Sequence, residues 1–319
     1  RNREAIMALF TPSQSPAVVV KEVDATGGVP NVQTSTGAIV GNFGWGPVEQ
    51  RTLISNEANL IDTFSTPDTT SSVDFHSASY FLRYSNSLQV VRAVTSIAKN
   101  ARVTSSGGVS GAGLQTGGAV AATPIIKNKT DFTSTEGTLN TAKNTFLARY
   151  PGTLGNSLKV SICTPTLTDS AFNDWAYKSS FDAAPGSSTL DSGSGGSLSE
   201  VHVAVVDENG DISGSKGTVL EAFPFVSVAS NSKAYDGGTN YIKDVINERS
   251  EYIHMVGFPA NMTAGVGSLI GTAMTSTQQN FIPENANIKA VDYSMDSGVN
   301  SAALTASDIA TGHDLFEDE

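Results

Sequence analysis

Cysteine occurs once in this 319-residue chain, at Cys163, so no intrachain disulfide can form and stability must come from packing and assembly. Such usage fits a reducing compartment. Basic residues are scarce too: 19 Lys and Arg stand against 31 Asp and Glu, for a formal net charge of −12. That balance works against sequence-independent nucleic-acid binding, which needs clustered cations to neutralise phosphates. No basic patch is visible. The chain also lacks a run of about 18 apolar residues that would span a bilayer, and its first residues lack the charged-then-apolar order of a signal peptide. The expected site of synthesis is the cytosol.

Histidine is sparse as well. His76, His202, His254 and His313 stand singly, without the paired spacing of a metal site, and read as structural. "GVGSLIG" (265–271) has the spacing GxGxxxG rather than that of a dinucleotide fingerprint. "GGVSGAG" (107–113) misses the nucleophile elbow because Ala112 stands where its last glycine belongs. Asp207, Asn209 and Asp211 have calcium-loop spacing, but Ile212 occupies the position that needs glycine and no bidentate glutamate follows. A hairpin is the better reading. No catalytic constellation, cofactor site or metal site is expected.

What is present is a composition of 39% hydrophobic and 16% charged residues, rich in Gly, Ser and Thr, as in a loop-rich globular protein with many strands. The length allows one large domain or two to three ordinary ones. "PAVVVKEVD" (16–24) is strand-like, with β-branched Val18, Val19, Val20 and Val23. The turn formers that follow leave it on a tether, free to add to a sheet on another subunit.

Residues 36–43 and 50–54 read as strands, and 55–64 as a helix capped by Ser55 or Asn56, with Leu60, Ile61 and Phe64 on one face. A second helix is expected over 74–84, with Asp74 as cap, and a buried strand over "SLQVVRAV". Strand, helix, helix and strand suggest a layered α/β unit. The stretch 99–140 reads as a low-complexity insertion and 182–200 as a loop. A hairpin is expected to turn at Glu208-Asn209-Gly210, followed by a strand over 217–228, a helix over 239–249, a strand over 251–256 and a helix from Thr305 or Ser307.

Five segments carry a family resemblance. "PAVVVKEVD" resembles the N-terminal arm of contractile phage tail sheath proteins. "GAIVGNFGWGPVEQRTLISNEANLIDTF" looks like their first block, "FLRYSNSLQVVRAV" like the strand that follows, and "YPGTLGNSLKVSI" like their Y-P-G-x-x-G-N segment. "GTVLEAFPFVSV", with "YIKDVINERSEYI", is similar to a later block. The F-x-W-G-P corner and the tail "LTASDIATGHDLFEDE" resemble the T4-like (myovirus) type. Three features depart from it: Ala17 replaces the glycine of the arm, 99–140 is shorter than the outer insertion of T4-like sheaths, and the C-terminal half of the family is missing.

The resemblance implies a mixed α/β (α+β), multi-domain fold. Residues 1–6 are expected to be a non-native leader and 7–34 an arm; 35–98 with 262–319 a base domain cut at its C-terminus; and 99–261 an inserted β-rich domain with a reduced outer insertion at 99–140. It implies a virion protein, assembled in the host cytoplasm, whose subunits stack as hexameric rings around a tail tube and contract. The tail tube, baseplate and tail terminator would be contacted through the missing C-terminal region, with no nucleic acid bound and no membrane insertion. The expected interface residues of the arm are Val18, Val19, Val20, Glu22 and Val23. The expected structural motif is Gly44, Trp45, Gly46, Pro47, Arg92, Pro151, Gly152, Gly155 and Asn156. In that reading Gly44 and Gly46 make a sharp corner, Trp45 is an apolar anchor and Pro47 fixes φ on leaving it. Two alternatives are the sheath of a phage-derived contractile injection system, and a host-recognition module with exposed sequons at Asn128 and Asn261.

Overall fold

The computed structural model describes residues 36–103, 114–115, 125–139, 145–163, 170–186, 200–230, 232–257 and 290–317. The arm residues Val18 to Val23, Asn261 and the glycine-rich stretches 107–113 and 265–271 lie outside them. Strand β1 (Gly37–Gly41) leads through a corner to β2 (Arg51–Ile54), then to helices α1 (Glu57–Phe64) and α2 (Ser72–Leu82) and strand β3 (Leu88–Arg92). β3 lies central in this sheet, parallel to β1 and antiparallel to β2. Alternation explains the packing: Ile39, Val90, Leu88 and Ile54 face Leu60 and Phe64 of α1 and Phe75 and Ala78 of α2. Asn56 caps α1, its side chain accepting from the Asn59 N–H at 2.9 Å.

Two expectations here need correction. Of the face expected to carry Leu60, Ile61 and Phe64, only Leu60 and Phe64 turn into the core, and Ile61 is 37% exposed. Asp74 is not a cap: α2 starts at Ser72, and the Asp74 carboxylate instead accepts the Asn42 N–H at 2.7 Å, tying the helix to the end of β1.

The second sheet joins β4 (Asn100–Val103), β6 (Phe146–Pro151) and β10 (Ile253–Met255), antiparallel on both sides of β6. The third orders its strands β5 (Leu114–Gln115), β11 (Ala290–Ser294), β7 (Leu158–Cys163), β8 (Glu200–Asp207) and β9 (Thr218–Ser227). Between these sheets lies a shared core that includes Phe146, Leu158, Val160, Val203, Val205 and Tyr293, with Ile242, Val245 and Ile246 from α5 (Ile242–Arg249). The outer faces are covered as well. α3 (Lys129–Thr135) sets Phe132 against Leu147 and Val256, while the segment containing α4 (Ser170–Asp174) sets Trp175 and Phe181 against Ala204 and Val206. Burial on both faces is why β8 reads as a continuous apolar run.

The region 99–140 is therefore not simply a loop: its described parts include β4, whose four residues are all buried, and α3. The β8–β9 hairpin does not turn tightly at Glu208-Asn209-Gly210. Residues 208–217 form a longer connection, closed by the Gly217 N–H on the Asp207 carbonyl at 2.7 Å. The returning segment serves two places, with β11 in the third sheet and α6 (Ala306–Asp314) against β1, where Gly312 lies beside Val40. Thr305 and Asp308 close a capping box at the start of α6.

Candidate functional site

Arg92 ends β3 with its side chain 1% exposed, a position that demands hydrogen-bond partners for every donor it can satisfy. It meets backbone oxygens. Nε donates to the Phe43 carbonyl at 2.7 Å, Nη1 to Gly46 at 2.9 Å, and Nη2 to Pro151 at 2.7 Å and to Gly44 at 3.4 Å. Burial lowers the guanidinium pKa to about 9, so at neutral pH it remains a cation held by carbonyl dipoles. A planar fork with five donors suits this geometry; an ammonium does not.

The corner around it is shaped by local sequence. Gly46 sits at φ +97°, and a Cβ there would come within 2.7 Å of the Thr63 carbonyl oxygen, so only glycine fits. Gly44 does not share this constraint: a Cβ would meet nothing closer than the Phe64 carbonyl oxygen at 4.0 Å. Of the two glycines, only Gly46 takes the positive φ of the turn. Trp45 between them is 5% exposed and packs edge-on against Tyr150, with ring centroids 5.4 Å apart. Pro47 is buried, and Val48 and Glu49 beyond it bond through their N–H groups to the carbonyls of Lys127 and Arg92.

The other motif residues converge on the same place. Gly152 takes φ +144°, and its α-carbon faces the Gly44 carbonyl, which a Cβ would approach to 2.8 Å. Gly155 lies against the methyls of Ala148 and Ala101. Asn156 brackets the returning segment, donating to the Gly298 carbonyl at 3.0 Å and accepting its N–H at 2.7 Å. Asn300 adds a further link, accepting the Thr153 N–H at 2.7 Å.

Polar residues that sequence reasoning passed over complete the junction. Buried Asn100 accepts the Ile126 N–H at 2.8 Å and donates to the carbonyls of Ile126 and Ala148. Lys127 pairs with Glu49 at 2.6 Å. Asn128, read as an exposed sequon, is instead the α3 cap; its side chain accepts the Asp131 N–H and donates to the Val48 carbonyl at 3.0 Å. The only sequence signal for these roles was an asparagine three residues before an acidic residue, the pattern of a helix start.

Several buried titratable groups are engaged in packing. Asp207 accepts from Ser157, Gly210, Ile212 and Ser213. Burial pushes its pKa up, but these bonds outweigh it and hold the carboxyl below the usual range. Its oxygens order the loop. His202 accepts the Phe225 N–H on Nδ1 and faces the Ala183 carbonyl through Nε2 at 2.7 Å, so it is the neutral Nε2–H tautomer. Burial pushes the Cys163 thiol up to about 12, which leaves it unreactive. Among the described residues no group of histidine, cysteine, aspartate and glutamate could hold a metal ion.

The buried Arg92 guanidinium is thus held by backbone carbonyls of the corner and of β6. The chain is related in sequence to tail sheath proteins of T4-like and related phages. It is 32% identical over 289 residues to the tail sheath protein of Salmonella phage ViI, matching 88% of this chain and 38% of that protein. To the tail sheath protein of Enterobacteria phage T4 it is 42% identical over 80 residues, 25% of this chain and 12% of that protein. For Vibrio phage KVP40 the identity is 33% over 78 residues, 24% of this chain and 12% of its tail sheath protein. The chain thus spans well under half the length of these relatives. No family model matches it. A solved sheath tail protein, Lin1278 from Listeria innocua, overlaps 89% of this chain and 38% of its own at 12% identity, with a TM-score of 0.41.

Proposed function

We propose that this chain is the N-terminal, outer part of a contractile phage tail sheath subunit. Full subunits stack as hexameric rings around the tail tube, remain extended until the baseplate signals, and then slide into a shorter, wider helix that drives the tube through the host envelope. The observation that carries the reading is the 32% identity to a tail sheath protein across 88% of the chain. The Arg92 junction supports it physically. In a lattice with two stable arrangements, work is done by relocating rigid subunits, and the bonds from the Arg92 side chain to backbone carbonyls, with those of Asn156 and Asn300, tie the corner, the second sheet and the returning segment together.

In this reading the role is structural and not enzymatic. The protein resides in the virion tail after assembly in the host cytoplasm, and tail tube, baseplate and tail terminator are met through regions outside this chain. Residues 7–34 form the arm, 35–98 with 262–319 the base, and 99–261 the insertion. Val18, Val19, Val20, Glu22 and Val23 of the arm add to a sheet of a neighbouring subunit. Antibodies raised against this chain test the reading on phage particles. Labelling along the whole tail shaft, more closely spaced after contraction, is expected; labelling confined to capsid, fibres or no particle would overturn it.

A further inference from the structure

Helix α2 turns Phe75 and Ala78 into the core and leaves an apolar stripe in solvent. Val73 and Tyr80, 76% and 58% exposed, share one face of α2 at spacing i, i+7, and Tyr84, 91% exposed, follows in the turn just past the helix end. The Arg83 guanidinium lies 4.9 Å from the Tyr80 ring centroid. Asp74, the acidic residue of this helix, is turned toward Asn42. On a chain of net charge −12, this stripe is aromatic and cationic.

A concave surface of opposite character opens beside the corner. Trp45, Ile61, Asp62, Leu154, Glu251 and Tyr252 line a cleft of about 420 Å³. An adjoining cleft of about 330 Å³ shares four of these residues and includes Arg149, which donates to the Ser250 carbonyl. Among the described residues neither the Asp62 nor the Glu251 carboxylate is in an ion pair. Tyr252 registers the local potential: burial raises its pKa first, and the carboxylates of Glu221, Glu251, Asp207 and Asp62 raise it further.

We infer that the α2 stripe of one copy seats in this cleft on a second copy, with Tyr80 and Tyr84 against its aromatic walls and Arg83 between Asp62 and Glu251. Charge complementarity within one sequence selects a second copy as the occupant. Two different surfaces make the contact, so it is heterologous and repeats from copy to copy, as a ring or helical filament requires. The inference rests on the sheath reading for its supply of adjacent identical copies.

Sedimentation of the 319-residue chain over a concentration series reaching about 1 mM tests it, with two variants, Arg83→Glu and the pair Asp62→Lys with Glu251→Lys. The wild type is expected to associate. Each variant alone, facing like charges, is expected to stay monomeric, and an equimolar mixture is expected to associate again, because every contact in it can pair opposite charges. Tyr84→Ser, which changes no charge, is expected to weaken association at least tenfold. A wild type that stays monomeric, variants that associate as it does, or a mixture no better than its components would each overturn the inference. None of these results would touch the sheath reading, which the labelling of virions tests separately.

Discussion

Arg92 at the end of β3 donates to the carbonyl oxygen of Pro151 at the end of β6, 2.7 Å away, joining two sheets through one buried cation. The same guanidinium holds the carbonyls of Phe43 and Gly46, so a single side chain determines how the first sheet, its corner and the second sheet meet. Arg92→Lys cannot span these acceptors. Each buried carbonyl left without a donor costs about 1–3 kcal/mol, and a loss of about 3 kcal/mol or more is expected in urea unfolding followed by tryptophan fluorescence. A loss below about 1 kcal/mol would show that the junction is not stabilising.

The two glycines of the corner are expected to separate. Gly46→Ala places a methyl 2.7 Å from a backbone oxygen at φ +97° and should cost about 2–4 kcal/mol through strain and displacement. Gly44→Ala, with nothing nearer than 4.0 Å, should change stability by less than about 0.5 kcal/mol. Thermal melts of the two variants under one condition decide this; equal losses would contradict the geometry.

His254 makes stability depend on pH. Its ring stacks on Phe132 at 3.9 Å, and neither ring nitrogen has a partner among the described residues. Burial, then the positive charges of Arg149 and Lys129, lower its pKa from 6.5 to about 3. In that window the unfolded chain binds a proton that the folded chain refuses, so stability falls as pH drops from about 6.5 toward 3, by at most about 1.4 kcal/mol per pH unit from this group. His254→Phe should flatten the dependence measured by unfolding at several pH values. An unchanged slope would assign the acid sensitivity to carboxylates such as Asp207, whose lowered pKa acts in the same direction.

The arm prediction concerns assembly rather than folding. Val19→Pro removes a backbone donor from a strand that is proposed to pair between subunits. The variant monomer should melt like the wild type while sheath formation is lost. Normal sheaths in electron micrographs would refute the role of the arm.

Much of the local structure was legible because its causes are local. Asn56 before an acidic first turn marks α1, Thr305 with Asp308 marks α6, and the apolar run at 88–92 marks β3. The junction was only half legible. Family-like segments flagged Arg92, Pro151, Gly152 and Asn156, but no spacing could show that they meet, since the contacts join residues far apart in sequence. β11 escaped for the same reason: its partners β7 and β5 are distant along the chain. Asp74 was misread as a cap because an acidic residue near a helix start looks the same from sequence whether it caps its own helix or, as here, a neighbouring strand end.

Electron microscopy of the protein expressed from its complete reading frame tests whether this chain is part of a polymerising sheath subunit. Hollow tubes with six-fold, cogwheel cross-sections are the predicted result. Dispersed monomers under conditions that keep the protein folded would contradict it.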